Sequence, residues 1–208
     1  MKGAQNLETF MSRGLDERAI QALGAGLRGA LVRPSDADYD TARRVWNAMI
    51  DRKPALIVRC AGVADVITAV KFARTHNLLV SVRGGGHSAA GNGVCEGGLM
   101  IDLSLMKGIR VDPVRRTARA EPGLTWGEFD HETQAFGLAT TGGFVPSTGI
   151  AGLTLGGGFG FLMRRFGLTC DNLLSVRWCW EGISSIPLPG PRKPFGSTAS
   201  SRGPRLMS

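Results

Sequence analysis

The chain has 208 residues, enough to bury a real core, and 43% of them are hydrophobic, which suits a globular protein. Lys and Arg outnumber Asp and Glu by 25 to 17, yet no basic run exceeds two residues and there is one tyrosine, so the basic, aromatic-interleaved stripe of a nucleic-acid binder is lacking. No apolar run approaches the ~18 residues of a membrane span, no N-terminal signal pattern is present, and the scattered Cys60, Cys95, Cys170 and Cys179 lack metal-ligand spacing, so the expectation is a cytoplasmic protein with buried reduced thiols, no metal and no membrane partner.

Residues 15–31 read as a short polar helix, and "LVRPSDADYDTARRVWNAM" as a loop feeding a second helix. "PALIVRC" (54–60) is a compact apolar run after a proline and predicts a strand. In "GVADVITAVKFARTHN" (62–77), Val66, Ala69, Val70 and Ala73 recur at helical spacing, which predicts an amphipathic helix packed on a sheet. "LLVSVRGGG" reads as a strand entering a glycine turn, and "GLMIDLS" (98–104) as a further strand. "GIRVDPVRRTARAEPG" (108–123) predicts a hairpin around an Asp-Pro turn. In "TWGEFDHETQAFG" (125–137), Thr125 stands three residues before Glu128, the spacing of a capping box that opens a helix. Strands, helices and a hairpin in this mixture predict an α+β fold.

Two glycine-rich stretches stand out. The first, "SVRGGGHSAAGNG" (81–93), sets Arg83, Gly84, Gly85, Gly86, His87 and Ser88 in one turn. Successive glycines let backbone N–H groups converge on an anion, and a pyrophosphate suits such a nest. A lone histidine is more often structural than functional; the adjacent turn exposes this one to a ligand. The second stretch, "TGGFVPSTGIAGLTLGGGFGFLMRRFGLTCDN" (141–172), interleaves glycine with Phe, Val, Ile and Leu, the pattern of backbone packed closely on something flat or bulky. Neither is a Walker loop, and "GGGFGF" lacks the preceding strand and following acidic residue of a nicotinamide site.

"VSVRGGGHSAAGNG…GLMIDLS", "RAEPGLTWGEFD" and "GGFVPSTGIAGLTLGGGFGFLMRRFGLTCDNLLS" together closely resemble the FAD-binding (PCMH-type) domain of the vanillyl-alcohol oxidase/p-cresol methylhydroxylase superfamily, in its bacterial berberine-bridge-type branch. The resemblance covers residues 30–176. It implies two small sheets flanked by helices and a bound FAD. It implies that Arg83 to Ser88, with Asn92 beyond them, wrap the pyrophosphate. It implies that His87 is bonded to the 8α-methyl of the isoalloxazine. The second loop, from Pro146 through Gly149, Gly152, Gly156, Gly157 and Gly158 to Gly160, would line the ribityl and isoalloxazine side. Asp171 and Asn172 would lie in the segment leading to the next FAD-contacting strand. Doubly linked members carry a cysteine just before the loop's proline; here that position is Val145, so one covalent bond is expected. The activity implied is hydride transfer from a small-molecule substrate C–H to flavin N5.

The organisation expected is a helical lead-in (1–49), an FAD-binding domain (50–176) incomplete at its C-terminal end, and a disordered tail (177–208). The tail holds five of the ten prolines and five basic residues against one acid. "Trp-Cys-Trp" (178–180), read two bases forward, encodes Val-Leu, which favours a reading-frame break there. The family's substrate domain and usual catalytic base are not recognisable, so no base is assigned. The competing readings are a non-catalytic fragment that binds FAD weakly or not at all and, further off, a basic binding module.

Overall fold

A computed structural model describes residues 15–179 and 183–187. Of these, one compact unit comprises the residues to Leu105 together with Cys179, and a second comprises residues 106–178 and 183–187.

The first unit opens with helix α1, Glu17–Ala25, capped by the Asp16 carboxylate, which accepts the Arg18 N–H at 3.1 Å. The helix stops at Gly26, short of the expected residue 31, and Ala30–Val32 instead forms strand β1. The reason is tertiary. The Asp65 carboxylate accepts the backbone N–H groups of Arg28 and Gly29, and Gly29 lies so close to the Arg59 carbonyl that a side chain would collide with it. The second helix, α2, is also shorter than expected, Tyr39–Arg43. Beyond it, the Arg44 carbonyl accepts from the Arg83 guanidinium and the Trp46 N–H donates to the Gly86 carbonyl, so these groups serve the glycine turn instead of a helix.

Strand β2 is Leu56–Arg59, helix α3 Val63–Thr75, strand β3 Val80–Arg83 and strand β4 Leu99–Asp102. The sheet order is β1-β2-β4-β3, with β4 parallel to both neighbours and β1 antiparallel at the edge. Every residue of β4 is buried, as a central strand covered on both faces requires. Helix α3 buries Ala69 and Ala73 from the expected stripe, with Asp65 added and Val66 and Val70 half-buried. A cluster of Val32, Tyr39, Ala42, Val45, Ile57, Val94 and Met100 forms the core of this unit.

The second unit contains the expected hairpin, β5 (Ile109–Asp112) and β6 (Thr117–Ala120), paired antiparallel. Its turn is set by the Asp112 carboxylate, which accepts from the Val114 and Arg115 N–H groups. Helix α4 is Trp126–Gln134. At its start the Glu128 carboxylate accepts the Thr125 N–H at 2.8 Å, as the capping-box spacing requires. Trp126 and Phe129 are fully buried, edge to face at 5.4 Å, and form a core with Ala118, Leu124 and Ile150. Helices α5 (Ile150–Leu155) and α6 (Met163–Phe166) and a 3-10 turn (Cys170–Asn172) follow, then strands β7 (Ser175–Cys179) and β8 (Ile183–Pro187), which pair with each other. These small sheets flanked by helices are the α+β architecture expected. The tail expected to be disordered from residue 177 is instead strand where it is described, at 177–179 and 183–187, because these segments pair with each other; residues 180–182 and 188–208 lie outside the described residues.

Cys60 and Cys95 are buried as expected, but Cys170 is exposed. Its N–H donates to the Gly157 carbonyl at 2.9 Å, which holds the 3-10 turn by its backbone and leaves the thiol outward.

Candidate functional site

The first glycine turn leaves β3 at Arg83. Arg83 and Asp102 are register partners on adjacent parallel strands, and Arg59 is the register partner of Asp102 on its other side. The Arg83 guanidinium donates twice to Asp102, at 3.1 Å through Nε and 2.6 Å through Nη2, and once to the Arg44 carbonyl at 2.9 Å. Asp102 is fully buried and also accepts from the Ser104 N–H and hydroxyl. The Arg83 side chain is therefore committed to the sheet, and what it offers a ligand is backbone.

From there the turn is zipped to residues 44–52. The Trp46 N–H donates to the Gly86 carbonyl at 3.0 Å, the Asn47 side-chain amide to the Ala89 carbonyl at 2.8 Å, and the Arg52 guanidinium to the carbonyls of Gly91 and Val94. Gly86 has φ +71°, a conformation that L side chains rarely adopt. Gly84, Gly85, Gly86, His87 and Ser88 are all half-buried, whereas Asn92 is exposed. The Ser88 hydroxyl accepts the Asn92 N–H at 3.2 Å, which closes the turn.

His87 stacks on the Trp46 indole, with ring centroids 5.3 Å apart and planes inclined by 19°. Partial burial lowers its pKa below the ordinary 6.5, which favours the neutral imidazole. Neither Trp46 nor Asn47 was among the candidate residues. The only signal in the sequence was an aromatic residue in a polar segment, and nothing local ties it to a turn some forty residues on.

The second glycine stretch lines a groove of about 320 Å³ in the second unit. Gly152, Gly156 and Gly158 contribute to its lining with Phe144, Val145, Leu153 and Phe159. A side-chain carbon placed on Gly152 meets nothing within 4 Å, so this glycine leaves space that the protein itself does not fill. Phe144 packs edge to face on Phe159 and Phe161, and all three remain substantially exposed. Pro146, Gly149, Gly157 and Asp171 do not line the groove. The Pro146 carbonyl accepts the Gly127 N–H, and Gly149 caps α5 and bridges to Thr125. The Gly157 carbonyl accepts from Cys170, and the Asp171 carboxylate accepts the Leu168 N–H at 2.8 Å. The buried Asn172 amide donates to the carbonyls of Phe166 and Leu168. These residues shape the groove's supports.

Residues 54–179 match the model of a family described as "FAD binding domain". The chain belongs to this family. It is 37% identical over 150 residues to (R)-6-hydroxynicotine oxidase of Paenarthrobacter nicotinovorans, an alignment that covers 72% of this chain and 33% of that protein. It is 35% identical over 129 residues to berberine bridge enzyme-like 27 of Arabidopsis thaliana, covering 60% of this chain and 24% of that one. The solved structure of 6-hydroxy-D-nicotine oxidase from Arthrobacter nicotinovorans superimposes with a TM-score of 0.76 at 34% identity, over 77% of this chain and 36% of that one. The chain thus spans about a third of the length of such relatives. They are FAD-linked oxidoreductases of the vanillyl-alcohol oxidase/p-cresol methylhydroxylase superfamily, and this chain is similar to their FAD-binding domain, as the motifs implied. No helix among the described residues is long and apolar enough to cross a membrane.

The residues fit the cofactor. An apolar groove with aromatic residues and an open glycine suits a planar ring system, and a glycine turn followed by a serine suits a pyrophosphate.

Proposed function

We propose that this chain is the FAD-binding part of a flavin-dependent oxidoreductase, with the cofactor attached through His87 alone. The backbone of Arg83 to Ser88 takes the pyrophosphate, and the groove that Gly152, Gly156 and Gly158 help to line takes the ring system, with Pro146, Gly149 and Gly157 among its supports. Asn92 closes the first turn through Ser88, and Asp171 braces the second from behind. Bound FAD supplies a two-electron acceptor for a substrate C–H, and the protein's part is to bind and orient it. The observation that carries the reading is the placement of His87. A half-buried imidazole, stacked on Trp46, stands at the end of the glycine turn, and its lowered pKa favours the neutral form, which is the nucleophilic one. Val145, on the second groove, offers no thiol for a second bond.

The test is acid precipitation of the full chain after incubation with FAD. Yellow colour in the pellet is the expected result, and His87→Ala should move it to the supernatant. Acid-stable colour that survives His87→Ala refutes the attachment site. A chain that takes up no flavin in either fraction refutes the cofactor reading and leaves the non-catalytic fragment.

A further inference from the structure

The feature of the first unit that the glycine turn does not explain is Trp46. It is 65% exposed, an unfavourable setting for the largest apolar side chain, and its ring is nevertheless held flat against His87. The hold comes from the main chain. Arg44 accepts from Arg83, Trp46 donates to Gly86 and the Asn47 side chain donates to Ala89, so consecutive anchors run along one segment. The indole that this segment carries is thereby fixed on the imidazole and covers one of its faces.

We infer that Trp46 is a positioning residue for His87, fixing the imidazole plane so that a ring nitrogen is aimed at the carbon it bonds; this rests on the attachment proposed above. Joining a His87 nitrogen to the 8α-methyl carbon breaks the imidazole N–H and one methyl C–H. The two electrons and two protons released are taken up by the cofactor's own ring system, and the step needs no outside oxidant. The bond forms only along the line of the nitrogen lone pair, so an imidazole that rotates about its side-chain bonds reacts less often than one that is held. A stacked indole resists that rotation without hydrogen bonding to either nitrogen.

The inference can be separated from a general structural role because the anchors are backbone groups and Asn47. Trp46→Ala removes only the exposed ring and leaves the zip in place. Three measurements decide it. The first is the rate at which acid-stable flavin accumulates in wild type, Trp46→Ala and Trp46→Phe. The second is reversible FAD affinity, measured by flavin fluorescence in a His87→Ala background with and without Trp46→Ala. The third is the proton NMR position of the His87 ring in the flavin-free chain.

The expected result has three parts. Trp46→Ala slows attachment roughly tenfold, the scale of one aromatic stack. It leaves reversible affinity unchanged, and it moves the His87 ring protons downfield as indole shielding is lost. Trp46→Phe restores most of the rate. An unchanged attachment rate in Trp46→Ala, or a rate that falls only in step with affinity, overturns the inference while the attachment site stands. Failure of Trp46→Phe to rescue, or unmoved His87 resonances, overturns it equally. A wild-type chain without acid-stable flavin overturns both.

Discussion

Arg83 and Asp102, register partners on adjacent parallel strands, meet side by side through two hydrogen bonds of 3.1 and 2.6 Å. The carboxylate is fully buried and the arginine side chain nearly so. This pair joins the glycine turn to the central strand, so the turn inherits the rigidity of the sheet. Removing Arg83 would leave the buried Asp102 carboxylate with Arg59, at 3.5 Å, as its remaining ion-pair partner. Arg83→Ala should therefore cost up to about 3–5 kcal/mol of stability. Arg83→Lys should recover only part of it, because an ammonium cannot reproduce the two-pronged contact and reach the Arg44 carbonyl together. Urea unfolding followed by circular dichroism checks both, and an Arg83→Ala loss below about 1 kcal/mol would show that the pair does not anchor the turn.

Asp65 makes the acid limb of stability testable. Burial alone would raise its pKa. Three backbone N–H groups, from Arg28, Ala61 and Gly29, outweigh that and hold the carboxyl below its ordinary 3.8. A depressed carboxyl pKa contributes stability that is complete above the unfolded-state pKa and is lost as pH falls through the folded one. Wild type should therefore lose stability progressively below about pH 4. Asp65→Asn should start less stable at neutral pH and show a shallower acid dependence. A variant whose stability parallels wild type from pH 7 to pH 3 would remove Asp65 from this role.

Gly158 tests how tightly the second loop is built. Its φ of +71° already disfavours a side chain, and an added carbon would meet Thr169 Oγ1 and, at 2.5 Å, Leu153 Cδ2. Thr169 cannot withdraw freely, since its hydroxyl donates to the Thr141 carbonyl and its N–H to the Gly158 carbonyl. Gly158→Ala should cost on the order of 2 kcal/mol. A thermal melt within a degree or so of wild type would mean that the loop relaxes around the new methyl.

Local chemistry made much of this legible. The hairpin at Asp112, the Thr125–Glu128 start of α4 and the strand–glycine turn at Arg83 each depend on residues within a few positions of one another. What the sequence concealed depends on distant pairing. Ala30–Val32 joins a sheet because Asp65 and β2 hold it there, against a local pattern that continues a helix. Arg83 resembles a phosphate ligand until Asp102, nineteen residues on, claims its guanidinium. Trp46 lies in a segment with no pattern of its own, and its value comes from the turn it stacks on. The family resemblance implies a flavin-side role for Asp171 and Gly149, and the structure gives them supporting positions instead.

Gly152 separates fold from function most cleanly, because it is exposed and helical. A side-chain carbon there meets nothing within 4 Å, so the protein has no packing reason to require glycine. Replacing an interior helical glycine by alanine ordinarily gains up to about 1 kcal/mol. If the groove of Phe144, Leu153 and Phe159 receives the flavin ring, the space beside Gly152 belongs to the cofactor, and a bulkier side chain would occupy it. Gly152→Ala should therefore melt at or slightly above the wild-type temperature. Gly152→Leu should fold normally yet bind FAD at least roughly tenfold more weakly, a loss of about 1.4 kcal/mol. Differential scanning fluorimetry and flavin fluorescence titration read the two effects independently. Unchanged FAD affinity in Gly152→Leu would move the ring system away from this groove, whereas a large drop in melting temperature would show that the glycine serves the fold after all.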